Sequence, residues 1–133
     1  MTATTAEVID RLFGRIAETG FGPEFVAALD DGLIFTAMGT SPVAGRYVGK
    51  HVYQEQILKR LHDRLASWPK PVVDNIIVGG DSACIQFHGV GGTGKNGADF
   101  NMQYCWIVKM RDEKIVEITG YYDSAKMIAL FKD

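Results

Sequence analysis

The sequence predicts an α+β fold in which helices come first and a curled antiparallel sheet follows. Two observations carry this. Apolar residues recur at helical spacing in the first half, at Val8, Ile9, Leu12, Phe13 and Ile16 and again at Tyr53, Ile57, Leu61 and Leu65. After Pro69 and Pro71 the pattern changes to strand-length runs separated by short turns, which is the pattern of a meander. No internal repeat and no long linker divides the 133 residues, so one domain over 1–133 is expected.

In chain order, Thr4 and Glu7 have capping-box spacing and open a helix that ends near Gly20. Pro23 suits a first helical turn, so Glu24 to Leu29 reads as a second, short helix, stopped by Asp30, Asp31 and Gly32. Leu33 to Ala37 is a short apolar run expected to be a strand, followed by a turn-rich loop from Gly39 to Gly45. A third helix, from about Lys50 to Ala66, carries Tyr53 on its apolar stripe. Strands are then expected at Val72 to Val78, Ser82 to Val90, Asp99 to Met110 and Lys114 to Tyr122, and Ser124 starts a last helix through Phe131.

Fourteen basic and sixteen acidic residues give a net charge of −2, without the basic surplus that a phosphate-backbone binder needs. Nucleic acid is therefore not an expected partner. No apolar run approaches membrane-spanning length and the first residues lack the pattern of a signal peptide, so no membrane association and a cytoplasmic location are expected. In a reducing cytosol Cys84 and Cys105 are expected as thiols.

If the link between the second and third strands of the meander is symmetric, Cys84 faces Cys105, Gln86 faces Gln103 and His88 faces Asn101. The alternate face pairs Ile85 with Tyr104, Phe87 with Met102 and Ala83 with Trp106. One face is small and polar, the other broad and aromatic. Either the aromatic face packs under the helices and the polar one meets water, or the polar face lines a cavity and the aromatic one is buried by another subunit.

Gly89 to Asn96 nearly spells a P-loop, and Gly92 to Gly97 satisfies G-x-G-x-x-G. A phosphate cradle needs a strand before and a helix after, but here a strand follows, so a flexible hairpin loop is expected and no nucleotide cofactor. His51, His62 and His88 show no metal-ligand spacing, so no metal is expected. Asp123 closes the last strand, where its carboxylate either caps the following helix or projects into the mouth of the sheet as a proton-transfer group.

The element order, the loop Gly39-x-x-Pro42-x-x-Gly45 and the closing Lys114-Ile-Val-Glu117-(x)3-Tyr121-Tyr122-Asp123 together resemble the NTF2-like superfamily, most closely its SnoaL-like branch. The resemblance implies a cone-shaped sheet wrapped around the N-terminal helices, an internal pocket, and homodimers formed through the sheet's outer face, here Met102, Tyr104 and Trp106. Read against ketosteroid isomerases, the general base falls on Thr36, the helix tyrosine on Phe13 and the protonated aspartate on Cys105, so steroid isomerisation by that mechanism is disfavoured. Epoxide hydrolases and polyketide cyclases of the superfamily keep an acid where this chain has Asp123, but the hydrolases' partners fall on Gln86, His88, Phe35 and Ala37. The resemblance also turns Gln103, Cys105 and Ile107 into the pocket, and thereby favours the polar cavity face.

The resulting expectation is a pocket for a small, largely apolar molecule, lined by Gln86, Gln103, Cys105, Ile107, Phe13, Phe35 and Tyr53. Asp123 would act there as acid/base and His88 as its partner, in isomerase, cyclase or hydrolase chemistry. The alternative is a non-catalytic dimer that binds a small ligand in the same pocket. Asp123 and His88 within hydrogen-bond reach would favour the enzyme; Asp123 turned onto the last helix would favour the binder.

Overall fold

A computed structural model of the chain describes residues 4–132. Helix α1 (Thr5–Thr19) starts on the expected capping box: the Thr4 hydroxyl accepts from the Glu7 backbone N–H, and the Glu7 carboxylate accepts from the Thr4 backbone N–H. The Thr4 contacts hold the Glu7 carboxyl below its ordinary range. Helix α2 (Pro23–Ala27) has its proline in the first turn, where the missing N–H costs nothing. The third helical stretch is continuous but not uniform. It runs as α3 (Lys50–Tyr53), a π-helical segment (Gln54–Leu58) and α4 (Lys59–Arg64). Helix α5 (Ser124–Leu130) closes the chain.

Six strands form the main sheet: β1 (Leu29–Ala37), β2 (Gly45–Val48), β4 (Lys70–Gly79), β5 (Ser82–Val90), β7 (Gln103–Arg111) and β8 (Lys114–Tyr121), in the order β2-β1-β8-β7-β5-β4. The sheet is curved but not closed, and it is not wholly antiparallel: β1 lies parallel to β8. The expected meander holds from β4 to β8. The early strand β1 takes the position beside β8, and β2 pairs with its other side as the edge strand. A separate ribbon pairs β3 (Leu65–Ser67) with β6 (Thr93–Gly94). These strands and β2 are too short to stand out in the sequence.

The central hairpin is shifted by two residues from the symmetric expectation. Gln86 faces Cys105, His88 faces Gln103, Ile85 faces Trp106 and Phe87 faces Tyr104. A two-residue shift preserves which side each residue occupies, whereas a one-residue shift would have exchanged the faces. The link is asymmetric because it contains β6 and a further bridge between Thr93 and Asp99.

The aromatic face is the inner one. Ile85, Phe87, Met102 and Trp106 are all buried within this single chain, in one core with Val8, Ile9, Phe13 and Ile16 of α1 and with Phe25 of α2. The expected use of Met102, Tyr104 and Trp106 as a dimer surface is therefore corrected. Burying these large side chains beneath the chain's own helices removes more apolar surface from water than burying the polar row would. The outer side carries Cys84, Gln86, His88, Gln103, Cys105 and Ile107.

The glycine-rich link is pinned, not loose. Asn96 sets its side-chain N–H groups against the carbonyls of Ala129, Leu130 and Lys132, at 3.0, 3.4 and 2.8 Å, and so satisfies the open C-terminal end of α5. At Gly92 a Cβ would lie 2.8 Å from the Phe100 carbonyl oxygen, and at Gly94 2.8 Å from Leu130. These glycines serve close packing.

Candidate functional site

An interior cavity lies between the inner face of the sheet and the helices. It is lined by Phe35, Ala37 and Val43 from the β1 region, Tyr53, Ile57, Leu58 and Leu61 from the third helical stretch, Tyr104 and Trp106 from β7, and Tyr122 and Met127 near α5. The π-helical segment contributes two adjacent residues, Ile57 and Leu58, to the lining. Such segments recur at functional sites because they re-aim side chains within a helix. The cavity offers about 50 Å³ to the centre of a water-sized sphere. That exceeds the roughly 10–15 Å³ that one water needs and falls well short of the roughly 300–1,000 Å³ of pockets for larger ligands.

Its walls are hydrocarbon and aromatic rings, and its lining contains no charged residue. Polarity comes from phenols and an indole. The Trp106 indole N–H donates to the Tyr122 hydroxyl at 3.0 Å. Gly120 makes this possible, because a Cβ there would lie 2.5 Å from the Tyr122 hydroxyl oxygen. Any larger residue would drive the ring off the strand. Tyr104 stacks on Phe87, with centroids 4.6 Å apart and planes 12° apart, and Tyr53 packs 4.5 Å from Phe35. Among the described residues no buried side-chain nitrogen or oxygen lacks a hydrogen-bond partner; the Tyr53 and Tyr104 hydroxyls, which make no hydrogen bond to those residues, therefore border open space.

Burial drives all three phenols above the ordinary tyrosine range, because a phenolate in this setting would lose its hydration. Tyr122 is raised first by burial and then by Tyr53 nearby, with the Trp106 hydrogen bond opposing. The site is thus a set of neutral hydroxyls in an apolar chamber.

Phe35 and Tyr53 line this cavity as expected. Phe13 is buried beside it, 5.3 Å from Phe87 and 6.1 Å from Trp106, behind the cavity wall. Gln86, Gln103 and Cys105 are not in the cavity lining; they line a shallow groove with Tyr121 and Asp123, which Tyr104 and Tyr122 of the cavity lining also reach. Ile107 is on the outer side of the sheet and is 44% exposed. The residues read across from the isomerases, Thr36 and Cys105, are also outward, while their chain neighbours Phe35, Ala37, Tyr104 and Trp106 line the cavity. A read-across one residue out of phase accounts for this, since neighbouring strand residues point to opposite faces. Neither phase puts a carboxylate inside.

Asp123 is the N-cap of α5, accepting the backbone N–H groups of Ala125 and Lys126 at 3.1 and 3.3 Å. It shares an outer depression with His88, Gly89, Asn101, Gln103 and Lys126. The hydrogen-bond partner of His88 is Asp74, whose carboxylate lies 2.9 Å from the His88 Nδ1. Asp74 falls where the β4–β5 register shifts between Val73 and Asn75, a bulge that turns its side chain toward His88. Nothing in the sequence marks that bulge. Cys84 and Cys105 sit diagonally on the outer face with sulfurs 3.5 Å apart, and burial followed by the Cys84 neighbour raises the Cys105 thiol. Among the described residues no group of side chains could hold a metal ion, and no helix is long and apolar enough to cross a membrane.

No protein-family model matches the chain, and no curated protein matches it in sequence. Solved structures do match its fold. An NTF2-like protein from Burkholderia thailandensis superposes with TM-score 0.81 at 16% identity, over 98% of this chain and 99% of that one. A candidate isomerase from Rhodopseudomonas palustris gives TM-score 0.72 at 15% identity, over 98% and 97%. A candidate SnoaL-like polyketide cyclase from Mesorhizobium loti gives 0.70 at 19% identity, over 90% of this chain and 100% of that one. The chain has the NTF2-like fold, as its sequence resemblance implied. At these identities the likeness concerns the fold, and activity has to be argued from the site.

Proposed function

We propose that the protein binds a small, largely apolar molecule carrying a hydrogen-bond-accepting oxygen, with the apolar body entering the aromatic cavity, whose space of about 50 Å³ must widen to admit it, and the oxygen met by the Tyr53 and Tyr104 hydroxyls. One observation carries the reading: two phenols without a protein partner stand in a chamber otherwise walled by hydrocarbon and rings. In this reading Asp123 is structural. Its carboxylate is engaged with two backbone N–H groups at the start of α5, which supports the binder over the acid/base enzyme.

The test is calorimetric titration with 2-acetylnaphthalene and with naphthalene. Replacing both Tyr53 and Tyr104 by Phe should weaken ketone binding by about 2- to 150-fold, the worth of one or two hydrogen bonds at about 0.5–1.5 kcal/mol each. The hydrocarbon should bind the variant as it binds the native protein. Ketone affinity that ignores both substitutions removes the proposal.

For self-association we propose the outer face, where Ile77 on β4, Ile107 on β7 and Tyr121 on β8 are 60%, 44% and 44% exposed, with Cys84 of β5 between the first two. Sedimentation should show a dimer that Ile107→Glu converts to monomer; a native monomer at micromolar concentration removes this element.

A further inference from the structure

A second space adjoins the cavity on the helical side. This surface depression is lined by Gly20, Phe21, Gly22, Gln54, Leu58, Lys59, His62 and Trp68, and offers about 430 Å³. Phe21, Leu58 and Trp68 line both spaces, so they stand between the chamber and the surface. The Phe21 ring stands 6.4 Å from Trp68 and 5.8 Å from Trp106. Glycines flank it in the chain. Gly20 has φ +79°, a conformation that other residues rarely adopt, and a Cβ at either Gly20 or Gly22 would meet nothing within 4 Å. Neither glycine is there to make room for packing. Gly20 ends α1, its N–H donating to the Ile16 carbonyl at 2.7 Å, and Gly22 opens α2, its carbonyl accepting from the Val26 N–H at 3.1 Å, so Phe21 sits at the corner between two helices with its ring between the two spaces.

The chemistry of the outer space differs from that of the inner one. Its polar side chains are the Gln54 amide, the Lys59 ammonium, the His62 imidazole and the Trp68 indole N–H, all able to donate, and no carboxylate lines it. Lys59 shares its charge with Asp63, 3.1 Å away and outside the lining. Movement of Phe21 would join about 50 Å³ to about 430 Å³, which brings the combined space within the range of small-molecule pockets, roughly 300–1,000 Å³.

We infer that Phe21 gates the cavity and that the natural ligand is an amphipathic anion: an apolar body that passes Phe21 into the chamber, and a carboxylate or similar group that stays in the depression against Lys59, His62 and the Trp68 N–H. This rests on the cavity reading above and adds to it the ligand's charge and route of entry. The site accepts an anion for the reason that it offers hydrogen-bond donors and the Lys59 ammonium at a water-exposed rim, where a charged head keeps much of its hydration.

The test compares 6-phenylhexanoate with 6-phenylhexanol, followed by the fluorescence of Trp68 and Trp106. Native protein should bind the carboxylate about 5- to 10-fold more tightly than the alcohol, a modest factor because Lys59 is exposed and partly neutralised. The double variant Lys59→Gln, His62→Gln should erase the preference by weakening the carboxylate about 5- to 10-fold more than the alcohol. Phe21→Ala should raise the association rate of both probes several-fold in stopped-flow mixing, with circular dichroism confirming the native fold. A native protein that binds the alcohol as well as the carboxylate, or a preference that survives the double variant, overturns the anion site. An unchanged association rate in Phe21→Ala overturns the gate. If the alcohol binds and responds to Tyr53→Phe while the carboxylate gains nothing, the cavity reading stands and this inference falls; if neither probe binds, both fall.

Discussion

The two faces of the central β5–β7 hairpin share a backbone and differ in almost everything else. On the inner face Ile85, Phe87 and Trp106 are buried in aromatic contact with one another, with α1 and with α2. On the outer face Cys84, Gln86, His88, Gln103, Cys105 and Ile107 are half-buried or exposed, and their hydrogen bonds run sideways, Gln86 to Asn75 and His88 to Asp74. The groups most familiar as catalysts, a histidine, two thiols and Asp123, gather on the outside, whereas the cavity is lined by aliphatic and aromatic residues. Titratable side chains alone therefore point to the wrong side of this sheet. A carboxylate or imidazolium held in the chamber would need a charged partner to offset its lost hydration, and the lining supplies none.

The largest expected contrast is in stability. Phe87→Ala removes a ring packed on Phe13, Tyr104 and Trp106 and should cost about 3–5 kcal/mol. Ile107→Ala, on the next strand but outward, should cost under about 1 kcal/mol in the monomer. Urea denaturation of the two variants measures the difference; equal losses would mean that the outer face is as well packed as the inner.

The buried phenols sharpen the contrast through pH. Their folded-state values lie above those in the unfolded chain, so their contribution is fully present below about pH 10 and is lost as pH rises through the folded-state values. Denaturation midpoints should be unaffected by these groups near neutrality and should fall above about pH 10, by at most about 1.4 kcal/mol per tyrosine for each pH unit. Phenolate absorbance from Tyr53 and Tyr122 should appear only as the protein unfolds. Their ionisation in the folded protein near pH 10 would show the chamber to be wet.

Smaller effects are expected at the ends of α5. Asn96→Ala removes a partner from the carbonyls of Ala129, Leu130 and Lys132, the first of which keeps the Lys132 N–H, and should cost about 1–1.5 kcal/mol. Asp123→Ala should cost about 1 kcal/mol, and Asp123→Asn only a few tenths, since asparagine caps about as well as aspartate. Thermal melts in that order support the structural role of both side chains; an Asp123→Asn variant as damaged as the alanine would contradict it.

Much of the fold was legible because periodicity is a strong local signal. The Thr4–Glu7 capping box, the α1 stripe and the strand β5 stand as expected. Short elements were not legible: β2, β3 and β6 offer too few residues for a pattern, and the parallel pairing of β1 with β8 is a long-range choice that no local run encodes. For the site, parity along β5 and β7 separated the two residue sets correctly, but which set lies under the helices is decided by packing. The rule that large apolar side chains go inside gave the correct side; the read-across from remote relatives reversed it through a phase error of one residue. The partner of His88 was hidden by the bulge at Asp74. The role of Tyr122 depended on Gly120, whose missing side chain admits the ring.

The central claim is that ligand chemistry resides on the inner face. The most direct measurement is the structure of the protein soaked with 2-acetylnaphthalene, paired with its affinity for the Tyr53→Phe, Tyr104→Phe double variant and for Asp123→Asn. The account predicts the naphthalene rings between Phe35, Trp106 and Tyr122, the ketone oxygen within hydrogen-bond distance of Tyr53 or Tyr104, a clear loss of affinity in the double variant and none in Asp123→Asn. Density for the ketone in the outer depression beside His88 and Asp123, with affinity that follows Asp123 and ignores the tyrosines, would contradict it.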